Sequence, residues 1–404
     1  MATRQLFPAR TRDEALSTAT QDALAVIDQN MAGFGTLFPH DNTTDGVYPL
    51  REPFHGWGRD LPSGSNYGWT TSFWSGQLWL AWELTSRDDY RDLALRHVTS
   101  FAQRIRDHVD VDNHDLGFLY SLGCVVAARH AGDTTARDAA LLAADHLMTR
   151  YLEPAGIVQA WGDLANPEEQ GRGIIDSLLN MPLLFWATEA TGDPRYAAAA
   201  TRHCHQLERY IIRPDDTTFH TYHWDSVTGE PRHGSTHQGY ADDSCWSRGQ
   251  TWGIYGFALA HRHTGEQVFL DAATRCAEYY LSHLPTDQVP FWDLVFTDGD
   301  DQPRDSSSAA IAACGLLELA HGLDTAGGSD ATVARYRATA GEMVASLAAR
   351  YTPRALGADS NALLLHGVYN LPRGMGVDEG NLWGDYYYLE ALTRLQHPDW
   401  IPYW

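Results

Sequence analysis

The chain has 404 residues, 44% of them hydrophobic and 20% charged, a balance that supports a large buried core and excludes a disordered composition. A net charge of −23 excludes nucleic acid as a partner, because neutralising phosphates takes clustered cations. All 29 basic residues are arginine, which excludes a lysine Schiff base, a pyridoxal phosphate site and the lysine of a P-loop.

At the N-terminus, MATRQLFPARTRDEALSTATQ has no apolar segment of the kind that directs export, and no run of about 18 apolar residues occurs later in the chain. The expectation is a cytoplasmic protein with no membrane association. Thr11 to Asn30 reads as one amphipathic helix.

From Ser72 onward a loose unit recurs: a nearly all-apolar helix, a short turn and a second, Ala-rich helix carrying Arg, Asp and Glu on one face. Copies begin at Ser72, Leu116, Ile174 and Ser247, and further first helices begin near Asp305 and Asn381. Gly192 and Gly265 stand at the C′ positions, where a left-handed residue closes the hairpin. The apolar helices predict an inner ring and the amphipathic ones an outer ring. With the 11–30 helix supplying the sixth outer member, the pattern is all-α: an (α/α)6 barrel forming one catalytic domain over residues 1–404.

Loops 40–70, 152–172, 213–246, 285–304 and 352–380, rich in Trp, Gly, Asp and His, are expected to gather at one rim as a substrate cleft. The 213–246 loop alternates like a short β-hairpin around a T-G turn. Cys124, Cys204, Cys245, Cys276 and Cys314 are widely spaced within apolar text, which predicts buried thiols rather than disulfides or a metal site.

Asp115, in NHDLGFLYS, precedes one inner helix, and Asp176, in RGIIDSLLN, lies in the first turn of the next. Two carboxyls sharing a poorly hydrated site do not both ionise readily, so one keeps a proton for acid catalysis. The competing reading is that each merely caps its helix. Arg248 and Trp252, four apart, share a helix face and pair a guanidinium fork with an indole wall, a combination suited to an anionic sugar. A plain ion pair of Arg248 with Asp242 or Asp243 is the alternative. His220, His223, His233 and His237 match no zinc-ligand spacing, so a metal is not expected among them.

The blocks HDLGFLYSLGC, RGIIDSLLNMPLLFWA, HQGYADDSCWSRGQTWGIYG, FWDLVFTDGDDQPRDSSSAAIAACGLLEL and NLWGDYYYLEAL resemble the unsaturated glucuronyl hydrolases of glycoside hydrolase family 88. The resemblance implies an (α/α)6 barrel, no metal or cofactor, and substrates that are di- or oligosaccharides ending in the 4,5-unsaturated uronic acid left by lyases. It implies that the enzyme hydrates the C4=C5 bond, with Asp176 as proton donor and Asp115 as its partner. His220, Gln238, Arg248, Trp252, Trp161 and Trp69 fall on sugar- and water-contacting positions of that family.

One departure concerns sulfation. Relatives that favour sulfated fragments carry Ser and Lys in the loop before the last helix, which here reads LLHGVYNLPRGMG, with Arg373 as its cation. Unsulfated substrates are therefore weakly favoured. The competing readings are an unsaturated rhamnogalacturonyl hydrolase, which typically lacks the Asp115 equivalent, an inverting glycosidase on the same barrel, and a non-catalytic sugar-binding helical repeat.

Overall fold

The computed structural model describes residues 9–56 and 58–404; the first eight residues, where no export segment was read, and Trp57 lie outside it. After α1 (Ala9–Phe34) and the β1–β2 hairpin (Phe54–Gly56, Arg59–Leu61) come α2 (Thr71–Thr85) and α3 (Asp88–Arg106). The next inner segment is α4 (Leu116–Tyr120), which runs through a π turn at Ser121–Val125 into α5 (Val126–Ala131), and is followed by the outer α6 (Thr134–Met148). Short strands β3 (Tyr151–Leu152), β4 (Ile157–Val158) and β5 (Arg172–Ile174) lead to a 3-10 turn, Ile175–Leu179, then α7 (Pro182–Thr191) and α8 (Pro194–Ile211). The remainder is β6 (Thr221–Trp224), β7 (Pro231–Ser235), α9 (Ser247–Thr264), α10 (Gln267–Ser282), α11 (Ser306–Thr325), α12 (Asp330–Arg350), α13 (Pro353–Leu356), β8 (Gly367–Asn370), β9 (Met375–Glu379) and α14 (Leu382–Gln396).

Inner helices α2, α4–α5, α7, α9, α11 and α14 touch in that order, and α14 returns to α2, so the ring closes without the exposed apolar ends that an open solenoid leaves. Each inner helix packs an outer one, with α1 completing the outer ring against α14. Composition explains the two layers. In α9 every residue from Ser247 to Ala260 is buried, whereas α8 buries Tyr196, Ala199, Ala200, His203, Cys204, Leu207 and Ile211, the spacing of a single face. Gly192 and Gly265 adopt φ of 77° and 72° as the C-caps of α7 and α9. All five cysteines are free and buried.

The chain after α14 folds back beneath the ring. The Trp404 ring stacks on Tyr387 with centroids 5.9 Å apart and an interplanar angle of 20°, and its Nε1 donates to Glu390 Oε2 at 3.0 Å. The expected 213–246 hairpin is present as β6–β7, and β5 joins it as a third, antiparallel strand. Three further two-stranded hairpins in the rim loops were not foreseen. Among the described residues no helix is long and apolar enough to cross a membrane.

Candidate active site

All six inner helices begin at the same rim, and the positions flagged by sequence sit at those beginnings: Trp69 before α2, Asp115 before α4, Asp176 in the turn before α7 and Arg248 in α9. Parallel N-termini supply a positive field at this rim that favours an anionic ligand. Trp69, Asp115, Trp161, Asp176, Gln238, Arg248 and Trp252 line one cavity of about 150 Å³. That is well below the roughly 300 Å³ at which pockets for drug-sized ligands begin. It suits a single sugar ring, with the rest of a substrate projecting from the mouth.

His220 is the flagged residue outside the lining. It is 3% exposed, its Nδ1 accepts from His237 N–H at 2.9 Å, its carbonyl accepts from Ile175 N–H at 3.0 Å, and its ring lies 4.6 Å from that of Trp246. It holds up the wall behind the Asp176 turn. Tyr369, Trp246 and His114 line the cavity and were not singled out from sequence.

Two local features bring the carboxyls together. At Gly117 an added Cβ would lie 2.2 Å from Asn180 Cα, so only glycine lets α4 approach the Ile175–Leu179 turn this closely. Asn180 Oδ1 then accepts from Phe118 N–H at 2.7 Å and ties the two segments. His114 Nε2 stands 3.4 Å from Asp115 Oδ1 and 3.5 Å from Asp176 Oδ1, and one ligand-type atom from each of the three residues lies within 4.8 Å of the others. Among the described residues this is the one cluster that could hold a cation, and a cation there would occupy the lone pairs that acid–base chemistry needs. The histidines suggested by sequence are arranged otherwise: His223 and His233 stack on each other at 4.7 Å.

Asp115 makes no capping hydrogen bond, which removes the capping reading for it. Burial pushes the carboxyls of both residues up: Asp115 well above the usual range, with the neighbouring Asp176 charge as a second cause, and Asp176 to about 7. At Asp176 the Arg248 charge and backbone N–H groups partly oppose the rise. The pair is therefore best described as holding one proton between two buried carboxyls near neutrality. Asp176 Oδ1 is buried without a hydrogen-bond partner in the protein, an exception to the rule that buried polar atoms are satisfied. Burial holds the His114 imidazole down at about 3, so it faces the pair uncharged.

Arg248 differs from both sequence readings. Its partner is Asp305, with Nη1 donating to Oδ2 at 2.8 Å across a pair that is 2% and 0% exposed, and not Asp242 or Asp243, whose carbonyls accept from Arg213. Nη1 also donates to the Val368 carbonyl, and Nη2 to Gln238 Oε1 and the Tyr369 carbonyl, both at 2.7 Å. The fork is thus taken up by protein acceptors, and Arg248 offers the cavity its charge rather than a free bidentate clamp. Since a guanidinium only donates, Gln238 must turn its oxygen to it, which leaves the Gln238 NH2 for the cavity.

The aromatic walls are fixed by mutual packing. Trp69 lies 5.0 Å from Trp383 and 5.6 Å from Phe118, and donates from Nε1 to Tyr369 Oη at 2.9 Å. Trp252 packs 5.7 Å from Phe118. Trp161 stands at the mouth, 38% exposed.

The profile of Glycosyl Hydrolase Family 88 matches residues 50–388. A protein of Streptococcus pneumoniae named unsaturated chondroitin disaccharide hydrolase is 43% identical over 397 residues, 98% of this chain and 95% of its own. The crystal structure of the unsaturated glucuronyl hydrolase from Streptococcus agalactiae is similar at a TM-score of 0.90 and 40% identity, covering 100% of this chain and 95% of its own. An Asp-to-Asn mutant of that enzyme, complexed with dGlcA-GalNAc6S, is similar at a TM-score of 0.82 and 38% identity, covering 100% and 95%. With the profile covering residues 50–388 and a relative of 43% identity matching nearly end to end, the chain belongs to glycoside hydrolase family 88.

Proposed function

We propose that the chain releases the non-reducing-end 4,5-unsaturated uronic acid from lyase-generated di- and oligosaccharides by hydrating its C4=C5 bond, with Asp176 as general acid and base. The observation that carries this is the unpartnered, buried Asp176 Oδ1, on a carboxyl raised to about 7, at the foot of a cavity sized for one ring. The streptococcal relatives act on, or hold, unsaturated disaccharides of the same class.

Protonated Asp176 gives its proton to C4, and positive charge develops at C5, stabilised by the ring oxygen. The resulting Asp176 carboxylate takes a proton from the water that adds at C5. The C5 hemiketal then opens by breaking its bond to the ring oxygen, and the exposed hemiacetal at C1 expels the remaining sugar as an alcohol. Trp252 and Trp69 wall the ring, the Arg248 charge attracts its carboxylate, and the Gln238 NH2 and Asp115 orient hydroxyls and water. His220 acts from behind by fixing the His237 backbone. None of these steps calls for a cofactor.

The oxygens of the acidic pair are closer than the roughly 6.5–9.5 Å that inverting glycosidases keep between carboxyls to seat a water, which disfavours that rival. The presence of Asp115 favours the glucuronyl over the rhamnogalacturonyl branch. A non-catalytic repeat has no use for the raised carboxyl pair. We further read residues 1–404 as one domain, since α1 and α14 together complete the ring, and place it in the cytoplasm on the strength of five free buried thiols. A panel of lyase-generated disaccharides tests the function: loss of the ultraviolet band of the double bond in step with sugar release is expected. Cleavage of saturated glycosides, or binding without bleaching, would overturn it.

A further inference from the structure

The buried face of the outer helix α3 is apolar or aromatic apart from His97 and one arginine, Arg104, which is 2% exposed. A guanidinium has five N–H donors, and those of Arg104 are all taken by two loops. Nε donates to the Val109 carbonyl at 3.1 Å, and Nη2 to the carbonyl and Oδ2 of Asp110 at 2.8 and 3.2 Å. On the other side Nη1 donates to the Gly68 carbonyl and to Asn66 Oδ1, both at 2.9 Å. Asp110 Oδ2 joins the two loops a second time by accepting from the Gly68 N–H at 2.6 Å.

Both loops end in residues of the site. Trp69 follows Gly68 directly, Asp115 stands five residues after Asp110, and Trp69 and Asp115 line the same cavity. Asn113 carries the link onward: its Nδ2 donates to the Asp110 carbonyl at 3.5 Å and its Oδ1 accepts from the Asp115 N–H at 3.0 Å. The backbone bends at each clamped point, with φ of 76° at Gly68 and 49° at Asp110. A left-handed residue with a side chain costs ~1–3 kcal/mol and persists only where its surroundings impose it. A buried guanidinium–carboxylate pair adds little net stability over apolar side chains of similar size, so stability alone does not account for the arrangement. After burial and the Asp176 charge, the Asp110 charge raises the Asp115 carboxyl and the Arg104 charge lowers it.

We propose that Arg104, paired with Asp110, is a positioning residue for the hydration reaction: it clamps the loop ending in Trp69 to the loop ending in Asp115 and so fixes the slot in which the unsaturated ring meets Asp176. This rests on the function proposed for the buried carboxyl pair. Arg104 does not line the cavity; it acts through the backbone at Gly68 and Asp110. The reacting carbon must lie within reach of the Asp176 proton, and a misplacement of about 1 Å costs on the order of 10²-fold in rate.

The test measures kcat and KM by ultraviolet bleaching of unsaturated chondroitin disaccharide, well below each protein's melting temperature. It compares the wild type, Arg104→Lys, and a double variant, Arg104→Met with Asp110→Asn, that removes both buried charges together. In the double variant kcat should fall by about tenfold or more while KM changes by less than about threefold, because the Trp69 wall still binds the ring without presenting it in the reactive pose. Arg104→Lys keeps the charge but has three donors for five acceptors, so its kcat should lie about threefold below wild type and above that of the double variant. A purely structural clamp would lower the melting temperature and leave both constants of the folded enzyme unchanged. That result, a loss carried by KM alone, or a kcat of Arg104→Lys equal to wild type, overturns the proposal. If the double variant does not fold, the Arg104→Lys comparison decides alone. Failure of the wild type to bleach the disaccharide would instead sink the underlying function.

Discussion

Replacing Asp176 by Asn removes the proton donor and, at the same time, a buried group that resists ionisation. The carboxyl is raised from 3.8 to about 7 in the fold. A carboxyl with a raised folded value binds its proton more tightly in the native state, so it costs stability as pH climbs through that interval, and the cost is complete above the upper value. Three units at ~1.36 kcal/mol each give a penalty of about 4 kcal/mol at pH 8, and about 2 kcal/mol at pH 5. For 404 residues, an unfolding entropy of ~2.1 cal/mol/K per residue converts these to roughly 5 °C and 2 °C. Asn carries no charge at either pH. Thermal unfolding followed by calorimetry should therefore show Asp176→Asn more stable than wild type, with a gap that widens by about 3 °C between pH 5 and pH 8, while bleaching activity falls to background and disaccharide binding persists. A gap independent of pH, or more than a few per cent of residual turnover, would refute the reasoning.

For the same reason, wild-type kcat/KM should decline above about pH 7 as the acid loses its proton, and a profile flat to pH 9 would argue against Asp176 as donor. Gly117→Ala should drive α4 away from the Asp176 turn, at ~1–3 kcal/mol by denaturant melts, and should lower kcat more than it raises KM. Asp305→Ala strands a buried guanidinium, and urea unfolding should register a loss of about 3–5 kcal/mol together with weaker substrate binding. Trp404→Ala empties the space beneath Tyr387 and leaves Glu390 Oε2 without its indole donor, for which melting should show a loss of ~3–5 kcal/mol.

The barrel was legible because its two shells differ in periodicity: all-apolar text for the inner helices, one-sided text for the outer ones, and glycine where each hairpin turns. Asp115 and Asp176 were legible because they stand at helix starts within a few residues of aromatic loops. Contacts between distant segments set the features that escaped the sequence. The true partner of Arg248 lies 57 residues away, and the carbonyls that absorb its fork lie 120 and 121 away, separations that no local pattern encodes. His114 was passed over although it adjoins Asp115, because a lone histidine before a helix says nothing until the fold sets Asp176 beside it. Tyr369 and Trp246 reach the cavity from loops whose course depends on the small hairpins, and these are too short to leave a strand signature. The tail carrying Trp404 has no periodicity, and its docking comes only from the apolar space the ring leaves beneath Phe118 and Tyr387.

The central claim is that a proton is delivered to C4 of an unsaturated uronic acid before any bond to the leaving sugar breaks. Turnover of unsaturated chondroitin disaccharide in D2O, monitored by NMR and absorbance together, tests it most directly. The account predicts one solvent deuterium at C4 of the released sugar acid, appearing in step with bleaching and with free hexosamine; release of hexosamine with the double bond intact, or with no deuterium at C4, would contradict it.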